Sequence, residues 1–289
     1  MESFDPVRLL PGGYSLYVSL RGDTARELLG PLVNPEGDRS LDRYLRKIRR
    51  VYGTMTATDS GGTEWSLVIP GEYSDGLLRW GLRLHSGWTR DPGGGAWWCD
   101  SQGIQMAPVS SRLLLVSTGG MKTLMANYRA SSSGAAGGVQ GPSANTVEEL
   151  GQADLVLLGD RWPGQFLPGD LNIRKDALTR WTVFLNRQED RGYAGRMYLD
   201  FREERQARGA AATLKLLGIR EAPGENSRGI RFAGLKIERS GLRVNIENLQ
   251  FSELELNSLL AGGGEGEGAL LPGALPAGTE GAETSSGAR

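Results

Sequence analysis

The sequence predicts an α+β fold: a duplicated strand-hairpin-helix unit, with amphipathic helices packed on antiparallel sheet. Three observations carry this. Gly53–Tyr73 can be laid over Arg180–Phe201 at an offset of roughly 130 residues, and such self-similarity marks repeated architecture. The segments that follow also correspond, 74–88 with 203–217 as helices and 112–117 with 243–248 as strands. Both copies alternate period-2 strands with turn-rich breaks, the pattern of hairpins rather than of parallel βαβ units.

The elements follow in order. Leu10-Pro11-Gly12-Gly13 is a turn, and Tyr14 to Leu20 alternates apolar and polar as a half-buried strand does. Asp23 opens a short helix in which Thr24 and Glu27 stand at capping-box spacing, and Pro31 and Pro35 are expected to break it. Helix 39–52 carries Leu41, Tyr44, Leu45, Ile48, Val51 and Tyr52 on one stripe. Its other side holds Arg39, Arg43, Arg46, Lys47, Arg49 and Arg50, with Asp42 opposing. Strands 54–58 and 63–70 flank Asp59-Ser60-Gly61-Gly62, a hairpin signal.

Helix 74–88 is apolar nearly all round through Leu77, Leu78, Trp80, Leu82, Leu84 and Trp88, broken by Arg79 and Arg83. Such a helix is expected to lie buried in protein or in another apolar medium. Trp97 and Trp98, strands near 104–107 and 112–117, and a short helix 120–128 complete the first copy. The second copy reads as helix 146–150, strands 154–159, 180–187 and 193–201, helix 203–218, strands 229–238 and 242–249, and helix 252–260. Ser252 and Glu255 again form a capping box. The organisation is a first repeat at 1–129, a flexible Ser/Gly/Ala linker at 130–145, a second repeat at 146–261, and a disordered Gly/Ala/Glu tail at 262–289.

Composition narrows the chemistry. Lys and Arg number 33 against 34 Asp and Glu, a net charge of −1, which argues against a general nucleic-acid binder. There is one Cys and one His, so no cysteine cluster and no multi-histidine metal site is available. No cofactor and no metal is expected. Cys99 reads as a half-buried strand residue and His85 as a packed helical one. The adjacent carboxylates Glu148-Glu149, Glu189-Asp190 and Glu203-Glu204 fall at turns and helix starts, where the helix dipole or solvent accounts for them. Asp154 and Asp160 bracket a strand without an identifiable partner. Gly119-Gly120 precedes a helix and Met121-Lys122-Thr123, but the glycine frame of a phosphate loop is missing. No catalytic residue is assigned.

The stretch Leu10-Pro11-Gly12-Gly13-Tyr14-Ser15-Leu16-Tyr17-Val18 resembles the start of a mature bacterial lipoprotein domain. Together with the duplication and the amphipathic helices, the chain is similar in pattern to spirochaetal (treponemal) outer-membrane-associated lipoproteins. That resemblance implies a mixed α/β body attached to the inner leaflet through amphipathic helices. Met1 to Leu10 shows neither a signal peptide nor a lipid-bearing cysteine. The localisation is therefore read as cell envelope if the true start lies further upstream, and as cytoplasmic otherwise.

The leading expectation is a non-enzymatic envelope protein that contacts anionic membrane lipid through Arg39, Arg43, Arg46, Lys47, Arg50, Leu77, Trp80, Leu84 and Trp88. The alternative is a soluble cytosolic binding or scaffold protein with a duplicated domain and a protein partner. An enzyme would need Asp154, Asp160 or His85 to meet other polar groups in a cleft. No pattern specifies an oligomeric state.

Overall fold

The computed structural model describes residues 5–13, 15–33, 39–57, 63–84, 87–91, 97–100, 103–133, 142–160, 175–189, 192–220 and 234–260. Among them, the strands form a single antiparallel sheet of twelve. In chain order these are β1 Leu16–Arg21, β2 Arg50–Ala57, β3 Thr63–Pro70, β4 Thr89–Arg90, β5 Trp98–Cys99, β6 Gln105–Ser110 and β7 Leu113–Ser117. The rest are β8 Leu155–Gly159, β9 Leu178–Arg187, β10 Gly192–Phe201, β11 Lys236–Ser240 and β12 Arg243–Ser252. The spatial order is β11-β12-β10-β9-β8-β1-β2-β3-β7-β6-β5-β4. The helices are α1 Gly22–Val33, α2 Arg39–Leu45, α3 Asp75–Leu84, α4 Met121–Ser133, α5 Ala144–Glu149, α6 Glu204–Arg220 and α7 Glu253–Leu260.

The centre of the sheet is the β1–β8 pair, which joins the two halves of the chain with Val18 opposite Leu157. Every residue of β8 is buried. Its run Leu155-Val156-Leu157-Leu158 is apolar without alternation because both sides of the sheet are covered there. Leu155 and Leu157 join one apolar core with Leu16 and Leu20 of β1; Val156 and Leu158 join the other with Tyr17. The first core holds Ala25 and Leu28 of α1, Ala207, Ala210, Ala211 and Leu214 of α6 and Leu256 of α7, with Leu78 of α3 packed against it. The second lies under α4 and a 3-10 turn at Pro6–Leu9, through Met121, Leu124, Met125, Val7 and Leu9.

Strand β12 shows how a local irregularity serves the core. Asn248 adopts a left-handed backbone (φ 65°), and the pairing with β10 shifts between Gly195 and Arg196. The extra residue is a β-bulge. Val244 and Ile246 before it and Leu249 and Phe251 after it all reach the same core, which strict alternation would forbid. Gly195 is needed here, since a Cβ would sit 1.8 Å from the Phe184 carbonyl oxygen.

Several expectations are corrected. Helix 39–52 does not exist as one piece: α2 stops at Leu45, and Arg50, Val51 and Tyr52 belong to β2. Ile48 bridges Gly71, and the Arg49 N–H donates to the Pro70 carbonyl (3.0 Å). The segment from Arg50 to Ala57 goes to the sheet because it is laddered on both edges, to β1 and to β3, and Val51 is buried there. Helix 74–88 ends at Leu84, and Trp88 precedes the short strand β4. Helix α1 continues past Pro31 to Val33. A proline that late in a helix removes a single backbone bond.

Thr24 is not the cap of α1, because the helix already starts at Gly22 and Thr24 is 1 % exposed. Glu27 instead accepts from the Tyr193 hydroxyl (2.7 Å) and the Arg187 guanidinium (2.9 Å), tying α1 to the second half. Helix α4 runs to Ser133, into the expected linker, and Ser143 caps α5. The remainder of that linker at 134–141, the hairpin tip at 58–62, His85, the strand expected from 229 up to 233 and the tail from 261 lie outside the described residues. The Ser252–Glu255 box forms as expected: the Glu255 N–H donates to Ser252 Oγ (3.2 Å), and the Ser252 N–H donates to Glu255 Oε2 (2.8 Å).

Candidate membrane-contacting surface

The candidate surface is built where β3 hands over to α3. Three loops are stitched together there by backbone bonds. The Gly71 N–H donates to the Arg112 carbonyl (3.0 Å), Glu72 N–H to the Lys47 carbonyl (3.1 Å) and Tyr73 N–H to the Ser111 carbonyl (2.7 Å). Gly71 is obligatory at this crossing. A Cβ there would meet the Tyr73 ring at 2.5 Å and the Lys47 carbonyl at 2.7 Å. Tyr73 is buried, donates its hydroxyl to the Ile69 carbonyl (3.2 Å), and has its pKa pushed up by that burial.

Helix α3 leaves this corner with two apolar faces. Leu78 packs against the core, Leu82 is buried, and the Arg79 guanidinium donates to the Pro108 carbonyl of β6 (3.0 Å). Leu77 and Trp80 stand on the other side, 56 % and 61 % exposed. At about 100° per residue, Leu77 and Trp80 lie roughly 150° from the mid-line of Leu78 and Leu82. The helix expected to be apolar nearly all round, and buried in protein or in another apolar medium, therefore divides into two faces: one packs on the sheet and the other faces outward. Leu216, Leu242 and Leu254 are also exposed, but α3 alone presents two exposed large apolar side chains at i, i+3 spacing among the described residues. Trp88 is half-buried, and the Leu84 side chain lies outside the described residues.

Of the basic residues of the 40s, Lys47 and Arg49 are tied to the base of this helix through Glu72, and Arg43 lies one helical turn before Lys47, so they do not form a single helical stripe. Arg46 pairs with Asp42 (2.8 Å) and Arg49 with Glu72. Lys47 Nζ lies 5.7 Å from the Tyr44 ring centre, within cation–π range, and Arg43 is exposed. Arg50 is withdrawn from the candidate surface. Its guanidinium donates to Ser19 Oγ (2.8 Å) and to the carbonyls of Leu150 (2.9 Å) and Ala153 (3.2 Å), so it braces β2 against the turn before β8. The Arg39 side chain lies outside the described residues. Arg112, in the β6–β7 turn, is exposed at the corner and escaped sequence reasoning. The pairing of β7 with β3, which sets Leu113 opposite Pro70, brings it there.

Two of the carboxylates considered for catalysis, Asp154 and Glu149, are held in ion pairs. Asp154 pairs with Arg21 (3.1 Å) and accepts from the Arg187 N–H (3.1 Å). Glu149 pairs with Arg180; its carboxyl is raised first by burial, against the lowering pull of Arg180. Asp160 is exposed and borders a shallow recess with Ser143, Thr146 and Arg180. Cys99 is a half-buried thiol pushed up first by burial. Trp97 and Trp98 are core residues. Gly119 and Gly120 both donate their N–H groups to Ser117 Oγ (3.2 and 2.7 Å), and a Cβ at Gly120 would meet Ser66 Oγ at 2.6 Å. That glycine pair is a helix entry for α4. No cluster of three or more potential metal-ligating side chains occurs among the described residues.

These features define an α+β protein with a large antiparallel sheet and an outward-facing apolar helix. No known family matches the sequence, and no curated protein is detectably similar. Solved structures of TP0453, a treponemal protein, do resemble the fold. One crystal form superimposes with a TM-score of 0.61 at 15 % identity, covering 90 % of this chain and 98 % of that one. Another gives 0.61 at 17 % identity, covering 89 % and 96 %.

Proposed function

We propose that this is a non-enzymatic, peripheral membrane protein of a bacterial cell envelope, and that α3 is its lipid-contacting element. The observation that carries the reading is the outward pair Leu77 and Trp80, set on a helix whose opposite face is anchored in the core. An apolar pair flanked by Arg79 and Arg83 suits the boundary between headgroups and acyl chains, where Trp finds both an apolar medium and hydrogen-bond partners. Among the described residues no helix is long and apolar enough to cross a membrane. The resemblance in fold to a treponemal protein is what supports an envelope setting.

We also infer that the chain is a duplication. Outward from the central pair, β2, β3, β7 and β6 on one side correspond in order to β9, β10, β12 and β11 on the other. Helix α3 follows β3 as α6 follows β10.

Liposome flotation of the intact protein tests the function. The wild type is expected to float with vesicles. Failure to float with vesicles of any composition, with a soluble protein captured by the α3 face instead, would turn the conclusion to a soluble scaffold.

A further inference from the structure

We propose that the three-loop corner at the base of α3 makes the membrane contact selective for anionic lipid, with Arg112 as a selectivity residue beside Arg43 and Lys47. The inference rests on α3 being the lipid-contacting element and deepens that reading by assigning the preference for anionic lipid to named side chains.

The argument is local charge against global charge. The chain as a whole carries −1. The corner and α3 together hold Arg43, Arg46, Lys47, Arg49, Arg79, Arg83 and Arg112 against Asp42, Glu72 and Asp75, so seven cations less three carboxylates leave +4. Asp42 and Glu72 are consumed by Arg46 and Arg49. Among the described residues no carboxylate forms an ion pair with Arg43, Lys47 or Arg112. The backbone bonds from Gly71, Glu72 and Tyr73 hold Lys47 and the 111–112 turn directly before the first turn of α3. A surface that receives Leu77 and Trp80 therefore also meets these cations. A negatively charged bilayer satisfies both requirements, because it offers apolar depth and anionic phosphates in one plane.

The test compares vesicles of phosphatidylcholine with vesicles containing phosphatidylglycerol at low salt, for the intact wild type and two variants. The wild type is expected to prefer the anionic vesicles. The triple variant Arg43→Gln, Lys47→Gln, Arg112→Gln should lose roughly 100-fold in affinity for them, about fivefold per cation, while its weaker binding to neutral vesicles stays unchanged. Raising the salt to about 1 M, where the screening length falls to ~3 Å, should abolish the wild-type preference. The variant Leu77→Ser, Trp80→Ser should weaken binding to both vesicle types. Equal wild-type binding to both vesicles, or unchanged anionic preference in the triple variant, overturns this inference and leaves the role of α3 standing. Absence of wild-type binding to either vesicle overturns both.

Discussion

Replacing Leu77 and Trp80 together by serine separates a packing role from a contacting role, because the two roles predict opposite losses. A Trp side chain contributes about 150–250 Å² of surface, so 61 % exposure leaves about 120 Å² in water. At about 25 cal/mol per Å², moving that area into an apolar medium is worth about 3 kcal/mol. Leu77 at 56 % exposure adds about 1 kcal/mol on the same scale. The sum, about 4 kcal/mol, corresponds to about 1000-fold in vesicle partitioning and is an upper bound reached with full insertion. Folding stability should barely move, within about 0.5 kcal/mol, because the side chains are already largely exposed. Vesicle titration and urea unfolding on the same preparations give both numbers. A double variant that unfolds by several kcal/mol more easily, or one that partitions as the wild type does, would refute the assignment of these side chains as the contact.

Further outcomes follow from named contacts. Gly71→Ala should destabilise the fold by about 1–3 kcal/mol in urea, since the new methyl overlaps the Tyr73 ring and the Lys47 carbonyl. Ser252→Ala removes the cap of α7 and should cost about 1 kcal/mol by the same measurement. At Asn248, glycine should be tolerated, whereas valine should cost about 1–3 kcal/mol because its branched Cβ resists the left-handed backbone.

The Glu149 carboxyl is raised above its ordinary value of 4.5, chiefly by burial. The folded state therefore holds the proton more tightly than the unfolded one. This group's contribution is fully present below pH 4.5 and is lost as pH rises through the folded pKa. A stability–pH curve for Glu149→Gln should lack that decline; an identical slope in variant and wild type would remove the attribution.

How much of this was readable beforehand depended on whether a signal was local. The run Leu155–Leu158 and the alternation of Leu16 to Leu20 speak for their strands without help, and the Ser252–Glu255 cap closes on itself. Misreadings arose where local and distant preferences competed. Ile48, Val51 and Tyr52 fit a helical stripe, but the β3 partner strand offered them a ladder, and the ladder prevailed. Glu27 stands at capping-box spacing from Thr24 but spans instead to Tyr193 and Arg187, residues no local pattern connects to it. The outward turn of Leu77 and Trp80 was hidden for a different reason. Apolar periodicity places two stripes on α3 but does not say which one the sheet takes. Arg50 looked like a surface cation, and its three acceptors come from β1 and from the turn ahead of β8.

The central pairing of β1 with β8 also bears on how the chain is made. During synthesis β1 emerges early, finds β2 soon after, and then presents its other edge bare. Leu20 has to wait for Leu155, which at cellular elongation rates means on the order of ten seconds. For that interval the growing chain carries an unpaired, apolar strand edge, the kind of template that recruits neighbouring chains. A polypeptide wired this way depends on being shielded on the ribosome or during export, and truncations that remove β8 should be recovered as aggregates rather than as a folded N-terminal half.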